Sequence, residues 1–173
     1  LDLKLKNDKT LLFGHSLNEI GVELLKDWVA LLEPSYIIII GTGTMDVFHS
    51  TISLREHLYN ESYSTLYPCP SNDSCPLGKG DWCHQVIRAK HPIEVERISQ
   101  IVKIDRRTMP LVGHIYKKEN AIIPKNFISK AGGRIIRFLG ETKFSIRWKL
   151  CLKEKKELRN ITLEVLKRGI KKK

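Results

Sequence analysis

The chain has 173 residues, 42% of them apolar, and a net charge of +11; that suffices for one domain with its own core, or one domain plus a small appendage, and excludes a disordered tail. Its purely apolar stretches, Ile37 to Ile40 among them, fall far short of the roughly 20 residues of a membrane helix, so a soluble protein with no membrane partner is expected. Residues 1–83 carry 6 Lys/Arg against 11 Asp/Glu and residues 84–173 carry 24 against 8, which favours a polyanionic partner for the C-terminal half, nucleic acid before membrane, over a lysine-rich solvated surface.

The first residues, Leu1 to Phe13, read as the approach to a strand and not as a charged leader with a cleavage site. A chain that opens without Met reads as a fragment. Leu11 to Phe13 is a short buried strand, and Ser16 caps a predicted helix whose apolar positions run from Ile20 to Leu32 at helical spacing, stopped by Pro34. Tyr36 to Ile40 is apolar on both faces, the pattern of a central parallel strand, and Gly41-Thr42-Gly43-Thr44 turns into a second helix over about Asp46 to Tyr59. Strand, helix, strand, helix is half of a doubly wound α/β sheet.

Tyr63 to Asp81 is rich in Pro, Gly, Ser, Asn and Asp and is expected to hold no regular structure by itself. A helix is predicted over Ile93 to Ile101. Strands are predicted over Leu111 to Tyr116, Arg134 to Leu139, Phe144 to Leu152 and Ile161 to Leu166, with Gly132-Gly133 and Gly140 as turns. On the third of these, Ser145, Arg147, Lys149 and Cys151 alternate with Ile146, Trp148, Leu150 and Leu152, so one face is apolar and the other basic and sulfur-bearing.

The strongest chemical signal is Cys69-x5-Cys75-x7-Cys83, with Cys151 sixty-eight residues on. Three cysteines within fifteen residues, in a chain large enough to need no staples, favour a metal over disulfides. Cys69 and Cys75 each precede proline, which holds the preceding residue extended and removes a backbone donor. Zinc sites usually draw their ligands as closer pairs, so these gaps favour an iron–sulfur cluster, with Zn2+ as the alternative. His84 enters only in the zinc version. Gly41-Thr42-Gly43 is a weak nucleotide-loop match, lacking the third glycine and the following acidic residue, and reads as a tight turn. His15, Glu19, Asp46 and His49 lie near strand ends but read as helix-start caps, and no catalytic grouping is evident. Candidate RNA-binding cations are Arg88, Lys90, Arg106, Arg107, Lys117, Lys118, Arg134, Arg137, Lys143, Arg147 and Lys149, with Phe138 and Phe144 among them as stacking faces and Trp148 assigned to the core.

Pro68-Cys69-Pro70, Cys75-Pro76-Leu77 and Asp81-Trp82-Cys83-His84 together resemble the signature of the mitochondrial small-ribosomal-subunit methyltransferase-like family (Rsm-type assembly factors) and its bacterial and archaeal relatives. GHSLNEIGVELLKDWVALLEPSYIIII resembles a strand, helix and strand of that family's methyltransferase domain, and Leu150-Cys151 the pair that supplies the last cluster ligand. The resemblance implies an α/β fold: the C-terminal portion of a Rossmann-like methyltransferase domain, a Cys-rich metal-binding loop and a small β-rich C-terminal extension. The corresponding segments are residues 1–62, 63–109 and 110–173. It further implies a 4Fe-4S cluster on Cys69, Cys75, Cys83 and Cys151, and association with the small ribosomal subunit and its rRNA. Two departures bear on catalysis. The glycine-rich S-adenosylmethionine loop of the family lies upstream of the matched segment, and Gly41 replaces its acidic strand-end residue, so S-adenosylmethionine binding and methyl transfer would need an upstream segment. The expected role is assembly or translation on the small subunit, the alternatives being an active rRNA methyltransferase or a zinc-stabilised RNA-binding module. The chain is expected to be a monomer off the ribosome. A prokaryotic, archaeal-like cytoplasm is expected, with the mitochondrial matrix as alternative.

Overall fold

The apolar run at Ile37 to Ile40 forms β2 (Tyr36–Thr42), which lies parallel to β1 (Thr10–Gly14) in the computed structural model. The structure describes residues 9–78, 80–104, 108–121, 133–154 and 157–166. The crossover between these strands is helical, as a parallel pair requires. It is broken into α1 (Leu17–Ile20) and α2 (Val22–Leu32) at Gly21, whose φ of 80° lies outside the helical region. The sequence periodicity predicted one helix here, because an apolar stripe does not register a single backbone break.

The helix α3 (Met45–Asn60) follows close to its predicted bounds. Thr44 caps it, its hydroxyl accepting from the Val47 N–H at 3.5 Å. Val47, Thr51, Leu54 and Leu58 recur at helical spacing and are buried, against a sheet face formed by Phe13, Ile37, Ile39, Val112 and Tyr116.

Beyond α3 the expectation of a Rossmann-like portion fails. The chain enters β3 (Tyr63–Tyr67), β4 (Gln85–Arg88) and α4 (Ile93–Ile101), and then β5 (Thr108–Lys118). β5 inserts between β2 and β3 and runs antiparallel to both, with β4 antiparallel to its first half. Within this five-stranded sheet, only β1 and β2 are parallel. The sheet is mixed, and its second face is not covered as a doubly wound sheet requires: Leu12 is 62% and Ile40 39% exposed. The physical reason is visible in β3, whose sequence YSTLY carries the polar Ser64 and Thr65 instead of being apolar on both sides, as suits an edge strand. The apolar Leu111 to Tyr116 run takes the central place.

A second sheet is formed by β6 (Gly133–Glu141), β7 (Ser145–Glu154) and β8 (Glu157–Leu166) as an antiparallel meander with β7 in the middle. Gly140, at φ 146°, sits within the bulged end of β6 and not in a turn as predicted. The fold is therefore two sheets with a helical layer on one face of the first, not a portion of a doubly wound domain. No helix among the described residues is long and apolar enough to cross a membrane.

Candidate metal centre

Tyr63 to Tyr67, expected to be irregular with the rest of the segment to Asp81, pair instead as β3, whereas the stretch from Pro68 to His84 holds no helix or strand among its described residues, as the composition predicts. Side chains fix it instead. Asn72 Oδ1 accepts from the Thr65 N–H at 3.0 Å, the Trp82 indole donates to the Gly43 carbonyl at 3.0 Å, and Arg55 Nη2 donates to the Asp73 carbonyl. Cys75, Leu77, Trp82 and Cys83 pack against the main core. Gly43 owes its identity to this packing: a Cβ there would stand 2.6 Å from Pro110, and its N–H donates to the Pro110 carbonyl at 3.0 Å. A close backbone approach, not a phosphate cradle, explains the glycine.

All four cysteines are free and half-buried, and all four line one small cavity, about 20 Å³ in volume, that is partly open to solvent. Phe48 and Ile52 of α3 form its floor, His114 comes from β5, Arg134 and Ile136 from β6, and Cys151 from β7. The two sheets thus meet over the sulfurs. Among the described residues, no group of three or more His, Cys, Asp or Glu side chains is gathered as it would be to hold a metal ion.

Burial pushes every thiol upward, Cys83 to about 12 and Cys151 to about 11, with Cys69 and Cys75 moved in the same direction. The Arg134 guanidinium opposes the rise at Cys69, Cys83 and Cys151. With such values the thiols are protonated near pH 7, and any metal they take must displace protons. His114 is fully buried, and that burial drives it down to about 3, Arg134 and Arg55 adding to the effect; its Nδ1 shares a 2.9 Å hydrogen bond with the Tyr116 hydroxyl. His84 packs beside Trp82, ring centroids 5.8 Å apart, and burial lowers it too.

Asp81, itself buried, joins the cysteine segment to the second sheet. Its carboxylate pairs with Lys149 of β7 and, at 3.4 Å, with Arg137 of β6. Arg134 stacks over the Tyr67 ring at 5.6 Å. The basic, sulfur-bearing face of β7 is therefore turned toward the cysteine segment in the part that carries Lys149 and Cys151.

This placement divides the candidate RNA-binding residues. Arg134, Arg137 and Lys149 serve the cysteine segment, while Lys117 bonds the Glu119 and Ala121 carbonyls and Lys118 pairs with Glu33 at 3.4 Å. Arg88, Lys90, Lys143 and Arg147 are exposed, and Arg106 and Arg107 lie outside the described residues. Phe144, 71% exposed, stands at the β6–β7 hairpin tip with Lys143 Nζ 5.7 Å from its ring centre. Phe138 and Trp148 meet edge to face, centroids 5.1 Å apart, on the opposite, apolar side of the sheet. His15, Glu19, Asp46 and His49 do not line the cysteine cavity. Sequence reasoning missed Arg55 and His114. Both carried a signal, a cation on the inner stripe of α3 and a histidine inside an apolar strand, which buried polar residues need partners to explain.

A family model described as mitochondrial small ribosomal subunit Rsm22 matches residues 4–170. No curated protein matches the chain.

Proposed function

The chain belongs to the Rsm22 family of the mitochondrial small ribosomal subunit, and from that membership we propose that it is an iron–sulfur protein that binds small-subunit rRNA and acts in assembly or translation there. The observation that carries the reading is the meeting of four free cysteines from the irregular segment and from β7 around one cavity. The donor set fits the group. Four soft thiolates suit iron–sulfur chemistry, and Arg55 Nε and Arg134 Nη1 are buried donors without an acceptor among the described residues, as expected beside an anionic centre. The gaps of five and seven residues between Cys69, Cys75 and Cys83 favour a cubane over a single zinc ion, whose ligands usually come as closer pairs.

In this reading Cys69, Cys75 and Cys83 hold the group from the first sheet's side and Cys151 from the second's. When bound, the cluster supplies four covalent links across that junction. For comparison, structural zinc contributes on the order of 10 to 16 kcal/mol to folding of small peptides. The Asp81 pairs with Arg137 and Lys149 then set the angle at which the second sheet presents Lys143, Phe144 and Arg147. Cations for phosphates beside an exposed aromatic for a base are the elements of a single-stranded RNA contact. The mitochondrial description of the family favours the matrix, the alternative compartment, over the prokaryotic cytoplasm. The proposal keeps a monomer off the ribosome, and S-adenosylmethionine has no assigned place in this chain.

The test is binding of metal-loaded and metal-free protein to small-subunit rRNA across a salt series. Loaded protein should bind with a steep loss of affinity as salt rises, and metal-free protein should bind more weakly. A flat salt response, or equal binding with and without metal, would overturn the reading.

A further inference from the structure

Two guanidinium groups with donors to spare stand near the cysteines: Arg134 lines the cavity, and Arg55 is close enough to Cys69 and Cys75 for its charge to oppose the upward push of burial on both thiols. Arg55 has no solvent exposure; its Nη1 pairs with Glu56 at 2.8 Å, its Nη2 donates to the Asp73 carbonyl, and its Cζ lies 4.5 Å from the Tyr59 ring centre. Its Nε meets no acceptor among the described residues. Arg134 lines the cavity itself and stacks on Tyr67, and its Nη1 is buried and equally without acceptor. Arginine has five donors, no acceptor, and does not lose its proton in proteins. Two permanent cations with idle donors beside four neutral thiols make an incomplete arrangement. Thiolate and sulfide atoms would complete it, since each accepts N–H bonds and carries the opposite charge.

We infer that Arg55 and Arg134 are positioning residues for the metal centre, their idle N–H groups directed to its sulfur atoms and their charges offsetting its negative charge. The inference rests on the iron–sulfur reading above. Four thiolates around an oxidised cubane leave roughly two negative charges in excess, and cluster properties follow net charge and hydrogen bonds to sulfur. One-electron reduction adds a further negative charge. Removing a neighbouring cation therefore disfavours the reduced form and moves the potential to more negative values.

The experiment is a mediated redox titration, followed by the visible absorption, on anaerobically prepared wild type, Arg134→Gln and Arg134→Lys. Arg134 is the better probe because Arg55 also anchors the loop through Asp73, and Arg55→Gln risks the fold. Arg134→Gln should stay brown, with its reduction constant lowered about tenfold, which is about 59 mV for one electron. Arg134→Lys should recover part of the shift. Brown Arg134→Gln protein with the wild-type potential overturns this inference and leaves the cluster standing. If Arg134→Gln loses the cluster, Arg134→Lys decides: retention supports a charge role, and loss in both overturns it. Colourless wild-type protein containing zinc overturns the iron–sulfur reading, and this inference with it.

Discussion

Replacing Asp81 with asparagine removes one negative charge from the junction of the two sheets and changes little else, because the side chain keeps its shape and the Oδ1 that accepts from the Trp82 N–H at 3.0 Å. The charge serves two cations. Lys149 is one-fifth exposed and its pair with Asp81 is a charge-assisted hydrogen bond in a largely desolvated place, a type that contributes about 1.5 to 3 kcal/mol. Arg137, at 3.4 Å and 39% exposed, is screened by solvent and adds at most about 1 kcal/mol. The expected loss is then about 1.5 to 4 kcal/mol, confined to the docking of β6, β7 and β8. Hydrogen exchange measured by mass spectrometry reads this locally: about 1.5 kcal/mol is roughly tenfold in an opening equilibrium. Peptides from the second sheet should exchange at least that much faster, while those from α3 and β2 change little. A double-mutant cycle with Lys149→Gln should return a coupling of at least about 1 kcal/mol. Unchanged exchange in the second sheet would refute the view that Asp81 latches the sheets together.

Three further outcomes are expected. Cys151→Ser should lose the visible chromophore of loaded protein and raise exchange across β6 to β8 more than across β1 to β3, since the proposed cluster takes one ligand, Cys151, from the second sheet; retention of full colour and iron would remove it from the ligand set. His114 is held neutral by burial at about 3, whereas the unfolded side chain takes its proton near 6.5. The stability this confers above pH 6.5 should therefore be lost progressively as pH falls toward 3, and urea midpoints of metal-free wild type and His114→Gln at pH 7 and 4.5 should show a smaller acid loss in the variant. Equal losses would refute the assignment. Charge reversal at Lys143 and Arg147, both exposed, should reduce the slope of log affinity for small-subunit rRNA against log salt by roughly one to two without loss of iron; an unchanged slope would place the RNA contact elsewhere.

The parts of the fold legible in the sequence are those decided locally. The α3 stripe Val47, Thr51, Leu54, Leu58 and its Thr44 cap fix a helix from neighbours alone, and the alternation in β7 separates its two faces. Strand partnership is decided at long range, and there the reading failed. Nothing between residues 60 and 108 announces that β5 will enter antiparallel beside β2 and displace β3 to an edge. The half-wound pattern of the first sixty residues is compatible with either outcome. The cysteines were legible as a group because their spacing and flanking prolines are local, and the structure brings all four to one cavity. Their surroundings were not. Arg134, Arg137 and Lys149 looked like cations for RNA when read on a strand, and only the tertiary placement of Asp81 and the thiols gives them another task.

The central claim is that the four thiols hold an iron–sulfur cluster. The direct measurement is the metal content and visible spectrum of protein purified without oxygen. The account predicts brown protein with about four irons and four acid-labile sulfides per chain, the absorption lost in Cys69→Ser or Cys83→Ser. Colourless protein with one zinc per chain, or with no metal and four freely titrating thiols, would contradict it.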